Sequence, residues 1–98
     1  MIKVALLVRL QAKPGKESEV EKFIQGALPL AEAEPDTISW YALKMENSNF
    51  GIFDTFPHND GRSAHLAGKI AEALMANASE LLAKDPVIEH VDVLAAKR

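Results

Sequence analysis

Prolines divide this chain before anything else does. Four of its five prolines, at 14, 35, 57 and 86, fall at the ends of segments with a clear apolar period. Proline lacks an amide donor and restricts the residue before it, so each marks where one element stops or the next starts. Between the markers the period alternates between two and about three and a half, as strands and helices require. Residues 2–11 alternate: Ile2, Val4, Leu6, Val8 and Leu10 on one face, and Lys3, Ala5, Leu7, Arg9 and Gln11 on the other. The apolar centre of the second face suggests that it too is partly covered.

After Lys13-Pro14-Gly15-Lys16 a helix is expected. Glu17, Glu19 and Glu21 sit at its dipole-positive start, and Val20, Phe23, Ile24, Ala27 and Ala31 form its apolar stripe. Pro29 should kink it, and Pro35 should end it. Thr37 to Glu46 reads as a second strand. Asn47-Ser48-Asn49 is turn chemistry, which predicts a hairpin into a third strand over Phe50–Phe56. Beyond Pro57 and the cap-like Asn59-Asp60-Gly61, a second helix should run to about Ala83. Its stripe is Ala67, Ile70, Ala71, Leu74, Ala78, Leu81 and Leu82, and Gly68 can set residues 60 to 67 apart as a separate turn. Asp85-Pro86 ends this helix, and Val87 to Ala95 is the fourth strand.

The order β-α-β-β-α-β, with both helices on one face, predicts an α+β fold of the ferredoxin-like kind with a four-stranded antiparallel sheet. The other sheet face then calls for a partner. A chain of 98 residues buries only ~60–65% of its unfolded surface, so a homodimer packed sheet to sheet, with one pocket per subunit, is expected. The net charge of −3 and the scatter of the eleven Lys and Arg argue against a nucleic-acid footprint or a basic membrane patch. The apolar N-terminal segment is broken by Lys3 and Arg9 and shows no signal-peptide cleavage pattern, which makes a cytoplasmic location the expectation. With no cysteine there is no disulfide, thiolate nucleophile or Cys-based metal site. His58, His65 and His90 lack ligand-like spacing, so no metal site is expected, and the glycines have no phosphate-loop pattern.

The stretch from Phe50 to Leu74 holds the residues with chemical promise. His65 has an unperturbed pKa suited to taking a phenolic proton. A strict helical wheel instead puts it opposite the apolar stripe, unless Gly68 shifts the phase. Asp54 shares a strand face with Phe50, Ile52 and Phe56, where a carboxylate must be paired. Arg9, Arg62 and His65 are its possible partners. Phe56, Trp40 and Tyr41 could wall a pocket for a planar substrate or simply be core. Arg62 could hold an anionic group or stand in solvent.

Lys13-Pro14-Gly15-Lys16, Glu34-Pro35-Asp36-Thr37 leading to Tyr41, and Phe50…Asp54-Thr55-Phe56…Ala64-His65-Leu66 together resemble the antibiotic biosynthesis monooxygenase domain. The resemblance spans nearly the whole chain, as one domain over residues 1–98. It implies a dimeric α+β barrel and a cofactor-free oxygenase acting on small quinols or phenolic aromatics. On that reading His65 and Asp54 are the catalytic candidates, and the residues weighed above, Tyr41, Phe56, Trp40 and Arg62, are the candidate substrate contacts. Three positions depart from the family's pattern: Asp54 stands for its usual Glu, Phe56 for its usual Trp, and Asp36 for its common Gly. Related barrels also act as isomerases or ligand-binding modules, which keeps both readings open. Haem degradation is disfavoured, because strand one has no Asn and Phe56 replaces the Trp expected there.

Overall fold

The computed structural model describes residues 1–97. Its elements are β1 (Val4–Gln11), α1 (Glu17–Gly26), α2 (Leu28–Glu32), β2 (Ser39–Lys44), β3 (Asn49–Phe56), α3 (Asn59–Leu66), α4 (Lys69–Leu81) and β4 (Val87–Asp92). The four strands form one antiparallel sheet in the order β2-β3-β1-β4, the arrangement expected from the sequence. Between β2 and β3, Asn47 and Ser48 take φ of 59° and 64°. Both central residues of a tight hairpin turn need this left-handed backbone to match the twist of the strands.

Each expected helix is two helices. Pro29 cannot donate to the carbonyl four residues back, and the first helix breaks just before it, at Ala27, with Pro29 in the first turn of α2. Helix α2 ends at Glu32, capped by Ala33 and ahead of Pro35. The second break is at Gly68, whose φ of −90° and ψ of −174° are extended. Residues 59 to 66 therefore form a full helix of their own, on a different axis and phase from α4.

Val8 and Leu10 of β1 and Phe50 and Ile52 of β3 meet Val20 and Ile24 of α1 and Leu74, Ala78 and Leu81 of α4 in the main core cluster. These strand residues all belong to the face that the sequence marks as apolar. The opposite face is uncovered over much of its area: Ala5 and Thr55 are buried at one end, but Leu7 and Phe53 are only half-buried and Tyr41 is 54% exposed, with Leu43 and Val87 also at the surface. No helix among the described residues is long and apolar enough to cross a membrane.

Phe50 is 1% exposed at the centre of this core. Phe50→Ala should lower the unfolding free energy by about 3–5 kcal/mol, the usual range for removing a buried phenyl ring, as measured by urea denaturation.

Candidate functional site

Register places Asp54 between Leu6 on β1 and Trp40 on β2, on the face toward the helices. Its side chain has no solvent exposure. The break at Gly68 turns α3 so that His65, in its last turn, points inward at 6% exposure. His65 Nε2 lies 2.8 Å from Asp54 Oδ2. The approach is short but poorly aligned for a hydrogen bond, and neither Asp54 oxygen has another partner among the described residues. Coulomb attraction and the exclusion of water therefore hold this pair more than hydrogen-bond direction does.

The second ring nitrogen engages a residue that the sequence reading used only as part of a motif. His65 Nδ1 is 2.6 Å from Glu34 Oε1, which also accepts the hydroxyl of Thr37 at 2.6 Å. Glu34 stands directly before Pro35, where the chain passes from α2 toward β2. The Ile38 amide bonds the Thr55 carbonyl at 2.9 Å, and the hydroxyls of Ser39 and Thr55 also meet, so this connection is pinned to β3 beside Asp54. The ring of Phe56 packs on the imidazole, centroids 5.4 Å apart and tilted by 48°.

One imidazole thus lies between two carboxylates. Burial opposes its charged form and is the largest single influence on it. The close carboxylate of Asp54, then the hydrogen bond and charge of Glu34, together outweigh burial and raise the pKa from 6.5 to about 9. The C-terminal turn of α3 favours the same positive charge. At neutral pH His65 is an imidazolium with both N–H groups committed, so in this state it has no lone pair for a substrate proton.

Glu34 and His65 open into a cleft of about 380 Å³ between the α2–β2 connection and the α3–α4 corner. Leu30, Ala33 and Pro35 line one side, and Gly61, Ala64 and Gly68 the other, with Asp36 and Lys69 also in the lining. The close approach of the two sides depends on glycine. A Cβ on Gly61 would fall 2.9 Å from Asp36 Cβ, and one on Gly68 would fall 3.2 Å from Glu34 Oε2.

The other sequence candidates lie elsewhere. Tyr41 is on the uncovered sheet face, because residues 40 and 41 point to opposite sides of β2. Trp40 packs against the helices and lines a smaller neighbouring cleft, its indole Nε1 buried without an acceptor among the described residues. Phe56 is fully buried behind the histidine and does not line the main cleft. Arg62 neither reaches Asp54 nor lines that cleft. It binds Asn59 Oδ1 and the carbonyls of Ala5 and Val91, tying α3 to the β1–β4 ladder. Arg9, the remaining possible partner of Asp54, pairs with Glu89 on the far side of the sheet. His58 and His90 are exposed.

A solved structure, the NE2512 protein of unknown function from Nitrosomonas europaea, is 56% identical to this chain. It matches 100% of this chain and 95% of its own with a TM-score of 0.97. The chain belongs to the family of that Nitrosomonas protein. No family model and no curated protein matches it. A candidate antibiotic biosynthesis monooxygenase from Caulobacter crescentus superposes at a TM-score of 0.81 with 20% identity, over 96% of this chain and 92% of that one. Another structure, named antibiotic biosynthesis monooxygenase, gives 0.79 with 13% identity over 94% and 99%. The fold is that of the antibiotic biosynthesis monooxygenase domain, as the sequence resemblance implies.

The raised pKa of His65 has a consequence for stability. The native state holds this proton more tightly than the unfolded chain does, so the added stability is complete below pH ~6.5 and is lost as pH rises through about 9. Unfolding free energy should fall by no more than about 3 kcal/mol across that window. The same decline should be largely absent in Asp54→Asn, which denaturant titrations at pH 6 to 10 would reveal.

Proposed function

We propose that this protein is a cofactor-independent monooxygenase that oxidises a small quinol or phenolic aromatic in the cleft beside His65 and Glu34. The observation that carries this reading is a largely apolar cleft with a charged, water-poor Asp54–His65–Glu34 relay at its wall. Its volume of about 380 Å³ is near the lower end for ligand sites and suits a molecule of one or two rings.

An electron-rich phenol needs little from a protein to react with dioxygen. Loss of the hydroxyl proton makes an anion that can give one electron to oxygen. The resulting radical pair recombines at a ring carbon bearing hydrogen, giving a peroxide. Loss of water from that peroxide leaves a carbonyl. One oxygen atom enters the product and the other leaves as water, and the substrate supplies all four electrons. The relay takes the phenolic proton and returns it to the outer peroxide oxygen, which leaves as water with the hydrogen of the ring carbon, and the apolar lining keeps solvent from the anion. Phe56 and Asp54 hold the imidazole in place behind it.

The uncovered sheet face supports a homodimer as the working form. Leu7, Phe53, Tyr41, Leu43 and Val87 give it an apolar surface that a second copy would bury. Equilibrium sedimentation should give twice the chain mass at micromolar concentration, and Tyr41→Arg combined with Leu43→Glu should give the single mass. A wild-type monomer at that concentration would contradict the dimer.

An imidazolium between two carboxylates is also suited to moving a proton between two positions of a substrate, so isomerisation of a small oxo-acid is the second reading. Oxygen uptake with a panel of naphthoquinols, without added metal or flavin, separates the two. Monooxygenation consumes one dioxygen per substrate, with a loss of at least ~100-fold in His65→Ala. Exchange of substrate protons for deuterium with no oxygen consumed would favour the isomerase.

A further inference from the structure

The relay has three members but only one atom free to meet a substrate. Both His65 nitrogens face carboxylates, and Asp54 is sealed behind the ring with no exposure. Glu34 Oε1 is occupied twice, by the Thr37 hydroxyl and by His65. Glu34 Oε2 has no hydrogen-bond partner among the described residues, and it lies beside Gly68, which lines the same cleft. Glu34 itself is 21% exposed, the one member of the three that is not fully withdrawn.

Resting on the reading of this cleft as the substrate site, we propose that Glu34 is the catalytic proton acceptor, acting through Oε2 on a neutral aromatic hydroxyl, and that His65 and Asp54 are positioning residues. The phenolic O–H bond breaks with its electron pair left on the substrate oxygen, and an O–H bond forms at Oε2. The trio passes from a net charge of −1 to neutral as the substrate passes from neutral to −1, so charge is conserved within the cleft. His65 keeps its proton throughout. Its positive charge holds Oε1 and fixes the carboxylate plane, so that the bare oxygen faces the hydroxyl of the substrate. Gly68 serves the same end, since a methyl group there would crowd that oxygen.

This assignment makes the substrate a neutral phenol and not a phenolate. The charged groups around the acceptor are Asp54 from β3 and His65 from α3, with Asp36 from its own connection and Lys69 from α4 in the cleft lining. Formal charges of the five sum to −1, which disfavours an anionic ligand at the acceptor.

Glu34→Gln tests the proposal because it keeps an acceptor at Oε1 for Thr37 and His65, replaces the free oxygen by an amide, and removes the carboxylate charge that favours protonated His65. With a turned-over quinol, kcat should fall at least ~100-fold while KM stays within about twofold, and Gly68→Ala should lower kcat in the same sense. Wild-type kcat/KM should be highest near neutrality and decline as pH rises through the His65 titration. An unchanged kcat in Glu34→Gln, or a rate that climbs through that titration, would transfer the acceptor role to neutral His65 and overturn the proposal. A binding measurement decides the matter even if no quinol is oxidised. Near pH 7, 4-nitrophenol should bind in its neutral form, read from its absorbance, roughly tenfold better than as the anion, and Glu34→Gln should abolish that preference. Preference for the anion, an unaltered preference in the variant, or no binding would refute the role of Glu34 independently of oxygen uptake.

Discussion

A carboxylate without solvent exposure stands in the middle of the strand that pairs with both β1 and β2, and the surrounding structure is arranged to tolerate it. An isolated buried charge of this kind costs several kcal/mol. Asp54 is kept by one counter-charge, the imidazolium of His65, and a second carboxylate, that of Glu34, bonds the other ring nitrogen and favours the same charge. Loss of either acid would weaken the hold of the ring on its proton, which burial opposes. The three groups are therefore one electrostatic unit, and the α2–β2 connection, β3 and α3 are joined through it.

That unit depends on two interruptions in helical structure. An unbroken helix from residue 60 to 83 would turn His65 away from the sheet, since the stripe ending at Leu81 fixes the phase of everything continuous with it. The extended residue Gly68 uncouples the two halves, so that α4 buries Ile70, Leu74, Ala78 and Leu81 while α3 independently buries His65. In the first half of the chain, Pro29 and Pro35 end the helix early enough to leave Glu34 on a non-helical connection, where its side chain can reach across to α3.

The scaffold was legible because it rests on repeated signals. Alternation over four strands, apolar stripes over the helices, and the Asn47-Ser48 turn each involve several residues that agree. The site rests on single residues. The position of His65 depended on whether Gly68 continues or breaks a helix, which a helical wheel cannot decide. Asp54 had three basic candidates because sequence does not reveal which charges share a face: Arg9 falls on the opposite side of the sheet, and Arg62 is used by backbone carbonyls. Tyr41 and Trp40 are neighbours in sequence but are separated by the pleat, so only one of them could face the helices. Glu34 carried a faint signal: a glutamate directly before Pro35, within the segment that the family resemblance already marked.

The trio is drawn from a connection, a strand and a helix, and its two cleft-facing members are 31 positions apart in the chain. No local segment contains it, so it exists only after β2 and β3 have paired and α3 has closed over them, a long-range step that comes at the expense of loop entropy. Fraying of α3 alone would separate the ring from both acids and flood Asp54 with water. A chain that is still folding, or has begun to open, therefore lacks the arrangement altogether. Whatever reaction the cleft supports is confined to the native state, because no partly folded form of the chain brings the three groups together.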